Sequence, residues 1–484
     1  MLASRGRLAA VPRLVAGVDS STQSCKVVIV DAETGELVRE GRASHPDGTE
    51  VNPAAWWDAL KSAIASAGGL DDVSAISIGG QQHGLVALNA AGEVVRPALL
   101  WNDTRSAGEA EALVERFGAD WLLANTGSVP VASFTSTKLA WVARNEPAVA
   151  AEIAAVMLPH DWLSWRLAGC GDGSSPLGPD FAAAWTERSD ASGTGYFNSV
   201  SKQYVPEVID FCLGPGTSER LSLPRVLGAA EVGGQVFGTE VAIAGGAGDN
   251  AGAAKGLGLK IGEAAVSIGT SGTVFAVAEG PGTGAVEIAG FANVDGGFLP
   301  LACTLNAAQV LDLMAKQLGV SFAEFERLAL TAPVGADGLM LVPFFQGERT
   351  PNLPHARAAW HGMTLTNFTP ANIARASIEG ILLSLANALE LFRATGRPVH
   401  AVKLIGGAAA NRAVREIAAG LFGGTIELPA AGEYVARGAA KQAAEALGIS
   451  TAAWTVEVET VSAPAYPIEI LERFRGLVAD LQRA

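Results

Sequence analysis

One local pattern occurs twice in this sequence, and that repetition limits the fold more than any other feature. From Leu14 the chain reads LVAGVD, then SSTQSC, then KVVIVDAETGELV: an apolar run, a turn of small polar residues, and a second apolar run. Residues 264–280, AAVSIGTSGTVFAVAEG, follow the same grammar. Apolar β-branched runs bounded by small turn residues mark strands, so each passage predicts a β-hairpin. Aligning Asp19 with Ser267 places a threonine, Thr22 or Thr270, at the same point of each turn. The chain reads as duplicated, with halves beginning near residues 14 and 264.

Between the hairpins, strand-like 73-VSAISIG-79 alternates with helical 107-AGEAEALVERFG-118 and 146-EPAVAAEIAAVM-157. The second half continues with helices over 306–319 and 371–395, a strand in 401-AVKLIGG-407 and a helix from about Asn411. That alternation predicts an α/β protein. A strand runs into a glycine-rich loop at 241-VAIAGGAGDN-250. The expected division is therefore an N-terminal extension over 1–13, a first domain over 14–246, a second over 247–470 and a C-terminal helix over 471–484. Two similar domains meeting at such loops leave a cleft, the usual address of a ligand.

Charge and cysteines remove several classes of function. The 484 residues carry 34 Lys and Arg against 49 Asp and Glu, a net charge of −15. An acidic surface repels nucleic acid, whose binding depends on clustered cations, so no nucleic-acid partner is expected. Cys25, Cys170, Cys212 and Cys303 are far apart, fitting neither a disulfide framework nor a zinc ribbon, and point to a reducing cytoplasm. The six histidines have no ligand spacing that would build a protein-held metal site. No apolar run reaches the roughly 20 residues of a membrane span, and the first dozen residues lack a continuous signal-peptide core.

Four clusters carry chemistry. In the two hairpin turns, backbone N–H groups and Ser or Thr hydroxyls can converge on a polyphosphate, although either turn alone could be a plain tight hairpin. Asp19 ends the first strand beside that turn, where an acid is tolerated near phosphates if Mg²⁺ lies between them. No GxxxxGK[ST] loop occurs, so a nucleotide must be held by another architecture. In 245-GGAGDNAGAAKGLG-258, Asp249 and Asn250 open an Ala-rich helix. They suit a general base held at a helix N-terminus, or an ordinary helix cap, but capping leaves the flanking glycines unexplained. In 79-GGQQHGLVAL-88, Gln82 and His83 offer the neutral donors and acceptors that sugar hydroxyls need. With no base-orienting partner visible, His83 is given a binding role. Nearby 99-LLWNDTR-105 adds Asp103, and 404-LIGGAAANR-412 offers bare backbone for a flat ring, with Asn411 either capping the next helix or holding a base or ribose.

These residues resemble the FGGY carbohydrate kinases over nearly the whole chain. The stretches 133-SFTSTKLAWVARNE-146 and 358-AAWHGMTLTNFTPANIARASIEG-380 are similar to the family's two signatures. The resemblance implies two actin-like ATPase domains of the ribonuclease H-like type around an interdomain cleft, ATP and Mg²⁺ as cofactors, and compatibility with a homodimer. It implies Asp249 as catalytic base with Asn250 beside it on the sugar, Gln82 and His83 as the ketose-binding pair, and Asp103 on sugar hydroxyls. It further implies Asp19 as the acid that organises Mg²⁺ and phosphates, Thr22, Gly269 and Thr270 as phosphate-loop donors, and Gly406, Gly407 and Asn411 as the adenosine pocket, flanked by Gln309. GQQHG, LWNDTR, GDN and 347-GERTP-351 look most like members that phosphorylate D-xylulose. Two departures stand out: Ser21 replaces the glycine usual in the first phosphate loop, and Gln82 replaces the usual methionine of the sugar loop.

Three rivals remain. A sister kinase would act on ribulose, a hexulose or gluconate. An actin-like ATPase without a sugar acceptor would hydrolyse ATP regardless of sugars and leave GQQHG and GDN without a task. A glycoside hydrolase using paired carboxylates would bind no nucleotide.

Overall fold

The computed structural model describes residues 13–281, 285–395 and 399–483. The expected N-terminal extension therefore lies, apart from Arg13, outside the described residues. The first hairpin forms as read: β1 (Leu14–Ser20), β2 (Ser24–Asp31) and β3 (Leu37–Ser44) make an antiparallel meander. Helix α1 (Pro53–Ser66) buries Trp56, Leu60 and Ala63 beneath it. Strand β4 (Val73–Gly80) then pairs parallel with β1. Between β4 and the next strand of this sheet lies a long excursion. It contains α2 (Ala107–Phe117), α3 (Thr135–Asn145) and α4 (Pro159–Leu167). The chain returns through β5 (Val232–Gln235) and β6 (Ala242–Ala244), β6 lying parallel to β4.

Helix α5 (Asp249–Leu257) leads into the second sheet. Strands β7 (Glu263–Ile268), β8 (Gly272–Ala276), β9 (Ala289–Ala292) and β10 (Phe298–Thr304) pair antiparallel in the spatial order β9-β10-β8-β7. Helices α6 (Ala308–Leu318), α7 (Phe322–Thr331) and α8 (Pro370–Ala394) follow. Next come β11 (Ala401–Ile405), α9 (Arg412–Phe422) and β12 (Thr425–Pro429), with β7, β11 and β12 mutually parallel. The central order β3-β2-β1-β4-β6 of the first sheet is thus repeated as β10-β8-β7-β11-β12 in the second. The duplication read from two hairpins extends to the topology of both sheets.

Helix α10 (Tyr434–Ala446) belongs to the second half by sequence but packs on the first sheet. Every residue of β1 is buried because the sheet is covered on both faces, as parallel strands require. Leu14, Ala16 and Val18 join the core under α1, whereas Val15 packs with Ala436, Ala440 and Ala443 of α10. Gly17 points at α10, where a Cβ would overlap the Ala436 carbonyl. Strand β13 (Val458–Ser462) and α11 (Ile468–Arg483) complete the second half, α11 beginning three residues before the expected 471 and burying Leu471, Phe474 and Val478. Among the described residues no helix is long and apolar enough to cross a membrane.

One expected element is corrected. The helix read over 146–157 ends at Glu152, and Ala155–Met157 is a strand paired with Val86–Leu88. Ala155 and Met157 enter the core of the first sheet while Val156 enters a second cluster with Val142 and Ile153. That two-sided burial demands the period of two that a strand supplies and a helix does not.

Candidate active site

A cavity of about 600 Å³ opens where the two sheets face each other. Its floor carries Asp19, Asp249 and Asn250, and its walls are Ser267, residues 404–407, Ala409, Ala410, Arg415 and residues 428–435. Strand pairing brings the two acids together. Asp19 and Ser20 sit opposite Gly79 and Gly80 on one edge of β4, while Ala247 and Gly248 pair with the same two glycines on the other. The acids therefore flank a strand end that has no side chains.

Ser21 adopts an ordinary backbone conformation, since His83, Lys202, Ala336 and Asp337 are the positive-φ non-glycine residues described. Its hydroxyl donates to Asp19 Oδ1 at 2.6 Å, so the serine in place of glycine works as an anchor for the acid. Asp19 is buried, and desolvation pushes its pKa up to about 6 despite Ser21 and Lys26. Lys26, opposite Asp19 across the hairpin, lies 3.9 Å from Asp19 Oδ2 and donates to Glu433 Oε2 at 2.6 Å.

Asp249 is the first residue of α5, with Gly248 as its cap, so the acid does not fill the capping position. Its Oδ1 accepts from the Asn250 backbone N–H at 2.7 Å and from Asn250 Nδ2 at 2.9 Å. Desolvation, reinforced by the like charge of Asp19, raises its pKa to about 7. A carboxylate poised there is half ionised near neutral pH and suits proton abstraction.

Gln82 and His83 lie beside this floor, both buried. A Cβ on Gly248 would come within 2.7 Å of Gln82 Nε2, so the glycine before Asp249 makes room for the amide. Gln82 Nε2 donates to the Ser189 carbonyl at 3.3 Å. His83 takes φ +71° and packs against Phe134 and Phe291, with ring centroids 4.7 and 5.6 Å away. Its Nδ1 donates to the Gly193 carbonyl at 2.5 Å, which leaves Nε2 as an acceptor. Burial depresses its pKa to about 3, so the ring is neutral and suits binding. Asp103 accepts from Arg105 Nε at 2.9 Å and from Thr49 Oγ1 at 2.8 Å. Against desolvation, those bonds hold its pKa below the usual carboxylate range.

The residues expected on the nucleotide side divide. Gly406 and Gly407 line the cavity, and Gly406 has φ +91° with a hypothetical Cβ 2.6 Å from the Ile268 carbonyl. Asn411 does not line it. Its Oδ1 accepts from the Val414 N–H at 3.1 Å, the helix-capping alternative for this residue. Gln309 also stands outside the lining, donating to the Leu305 carbonyl at 2.7 Å, just ahead of its own helix. Thr22 accepts from Trp101 Nε1 at 2.9 Å, while Gly269 and exposed Thr270 form the tip of the second turn. None of these three lines the cavity either.

Sequence reasoning missed Lys26, Arg415 and the 428–435 wall. Lys26 was recoverable, because antiparallel pairing of a short hairpin puts it opposite Asp19. The 428–435 wall had no local signal, since it is brought to the site by β12 and α10. For Mg²⁺, the donor set fits: two desolvated carboxylates face one cavity, and among the described residues Asp19 Oδ2 has no partner closer than Lys26 at 3.9 Å. Hard oxygen donors of this kind are what Mg²⁺ takes alongside substrate phosphates.

Residues 14–256 match the N-terminal domain of the FGGY family of carbohydrate kinases, and residues 264–447 match its C-terminal domain. The chain belongs to that family. This kinase is 41% identical to the xylulose kinase of Streptomyces coelicolor over 96% of each chain. Among solved structures, the xylulose kinase of Bifidobacterium adolescentis matches the kinase with 44% identity and a TM-score of 0.89, covering 96% of this chain and 99% of that one. The gluconate kinase of Lactobacillus acidophilus has a TM-score of 0.85 at 21% identity, covering 98% of this chain and 97% of that one. The fold is therefore that of the FGGY sugar kinases, two actin-like halves around a cleft, and it is shared by proteins named for different substrates.

Proposed function

We propose that this kinase transfers the γ-phosphoryl group of ATP to the terminal hydroxyl of D-xylulose, giving D-xylulose 5-phosphate. The choice of acceptor is supported by the 41% identity, over nearly the full length of both chains, to a xylulose kinase. The chemistry is supported by one observation above others: Asp249 stands at the cavity floor with its pKa near 7. In this reading Asp249 takes the proton of O5 as that oxygen attacks the γ-phosphorus in line. Gln82, His83, Asp103 and Asn250 hold the sugar. Asp19, Lys26 and the turns carrying Thr22, Gly269 and Thr270 face the phosphates. Bare backbone at Gly406 and Gly407, opposite 428–434, receives the adenosine, with Asn411 capping the helix that follows and Gln309 flanking the pocket. Phosphoryl transfer asks mainly for positioning and electrostatic stabilisation, which this division of labour supplies. Mg²⁺ held near Asp19 supplies charge neutralisation on the phosphate oxygens.

The domain boundary belongs to the same reading, with the sugar-binding domain over 14–246, the ATP-binding domain over 247–470 and the C-terminal helix thereafter. We place the reaction in the cytoplasm, in keeping with four free, buried cysteines.

ADP release from Mg-ATP tests the function, with D-xylulose, D-ribulose, L-ribulose, glycerol and gluconate added separately against a sugar-free blank. Selective stimulation by D-xylulose is expected. Stimulation by another of these compounds would keep the mechanism and replace the acceptor. Hydrolysis indifferent to all of them would remove the sugar site and favour an ATPase without an acceptor.

A further inference from the structure

The sugar side of the cleft stands on a cluster of buried groups that the transfer chemistry does not use. His160, near the start of α4, is wholly buried, and Asp161, Glu187 and Asp190 are at most 1% exposed. His160 Nδ1 bonds Asp190 Oδ2 at 2.6 Å and lies 3.3 Å from Asp161 Oδ1. Asp161 Oδ2 accepts the Leu158 N–H at 2.8 Å, fixing the start of α4. Removing so many ionisable groups from water is costly, so stability by itself is a poor reason to find them together.

Three segments that carry the site converge on this histidine. A Cβ on Gly80 would come within 2.9 Å of His160 Cβ, and Gly80 leads directly into Gln82 and His83. A Cβ on Gly246 would overlap the His160 ring, and Gly246 leads into Gly248 and Asp249. The third segment is 187–194, which contains Asp190. Its Ser189 carbonyl accepts from Gln82 at 3.3 Å, its Ser189 hydroxyl accepts the Gly248 N–H at 3.1 Å, and its Gly193 carbonyl accepts from His83 at 2.5 Å. The same segment crosses to the second half, where Ser192 Oγ accepts the Ala292 N–H at 3.0 Å. The glycines beside GQQHG and GDN thus include two that make room for one residue, Gly80 for the His160 Cβ and Gly246 for its ring.

We propose that His160 and Asp190 are a positioning pair for the sugar pocket. His160 is wedged between the two glycine segments that deliver Gln82, His83 and Asp249, its Cβ against Gly80 and its ring against Gly246, and Asp190 ties the ring to the segment whose carbonyls and hydroxyl hold those segments. Burial opposes charge on His160, yet Asp161 and Asp190 beside it lift its pKa to about 9. Burial also lifts the carboxyls of Asp161 and Asp190, so the cluster shares its protons, and the short Nδ1–Oδ2 bond holds whichever partner carries the proton. This inference rests on the sugar-kinase reading above.

The test is steady-state kinetics of the full-length kinase, with D-xylulose and ATP varied separately and Tm recorded for every variant. His160→Ala and Asp190→Ala are expected to raise the sugar KM by about tenfold or more and to lower kcat, with the ATP KM within about twofold of wild type. His160→Asn, whose amide nitrogen reaches the Nδ1 position, and Asp190→Asn, which still accepts from a neutral imidazole, recover most of the sugar KM. Parallel shifts in both KM values overturn the pairing, as does a fall in Tm with both KM values unchanged, or alanine and asparagine variants that behave alike. If the alanine variants do not fold, the asparagine variants decide. Their residual effect, about two- to threefold, is expected in the sugar KM with the ATP KM unchanged, and equal movement of both KM values, or movement of neither, overturns the proposal. A wild-type enzyme that ignores D-xylulose fails the acceptor assignment instead, and the same KM split measured with the compound that does stimulate it decides the pair.

Discussion

The two halves share a sheet topology and little else where they meet the cleft. Between its two parallel strands after the hairpin, the first half inserts residues 81–241, whereas the second joins β11 to β12 with a short 3-10 turn (Gly407–Ala410) and α9. The insertion brings buried ionisable groups to its side of the cleft: His83, Lys138, His160, Asp161, Glu187 and Asp190. The second half offers instead a wall rich in glycine and alanine, with Gly406, Gly407, Ala409, Ala410, Ala430 and Ala431. Duplication accounts for the cleft and for the twin turns at its mouth. In the proposed function, the asymmetry between the insertion and the short connection is what separates a polar pocket for hydroxyls from a smooth one for a flat ring. Neither half holds a complete site, because Asp19 comes from one hairpin and Asp249 from the start of the helix that links the sheets.

The sharpest way to break this division is at the floor. Asp249→Ala is expected to fold normally and to lose roughly 10²–10⁴-fold in kcat, the span of general-base catalysis. Steady-state assays check it, and near-normal turnover would take the base away from Asp249. On the opposite wall, Gly406→Val places a side chain at φ +91° against the Ile268 carbonyl. The ATP KM should rise by about tenfold, a loss of ~1.4 kcal/mol, while the sugar KM stays put. A shift in the sugar KM alone would reverse the assignment of the walls.

The pH profile sharpens the comparison further. Asp249 must be ionised to accept a proton, and desolvation with Asp19 nearby raises its pKa to about 7. As pH falls below that value, kcat/KM for the sugar should drop about tenfold per unit, and above it the profile should level off. A flat profile between pH 5 and 7 would be incompatible with that carboxylate as base.

Smaller effects distinguish ligand contacts from support. Gln82→Met, which removes the amide that donates to Ser189, is expected to shift the sugar KM about fivefold through loss of a ~1 kcal/mol hydrogen bond, with the ATP KM unchanged. Asn411→Ala should cost ~1 kcal/mol of stability through the lost cap and leave the ATP KM alone. Calorimetry and kinetics together check it, and a raised ATP KM at unchanged Tm would make Asn411 a ligand.

Much of this was legible in the chain itself. The hairpins announced themselves through β-branched runs around small turns, and α8 through its long apolar periodicity. Asp19, Asp249, Gly406 and Gly407, which line the cavity, could be picked out because short turn motifs are local and their glycines mark close approach. The helix expected over 146–157 failed because burial on two sides, a tertiary fact, overrode an alanine-rich composition that favours helix.

By itself, then, the sequence determined the duplicated α/β plan and the turns that carry the acids, since both depend on neighbours a few residues apart. Only the tertiary structure decided that Asn411 caps a helix, that Lys26 reaches Glu433 across the cleft, and that α10 closes the first sheet from the second half of the chain. It also decided why Gly80 and Gly246 carry no side chain, because the Cβ and the ring that occupy their space belong to His160, far away in sequence. Contacts of that kind depend on which surfaces pack together, and packing is a property of the assembled chain that no local pattern encodes.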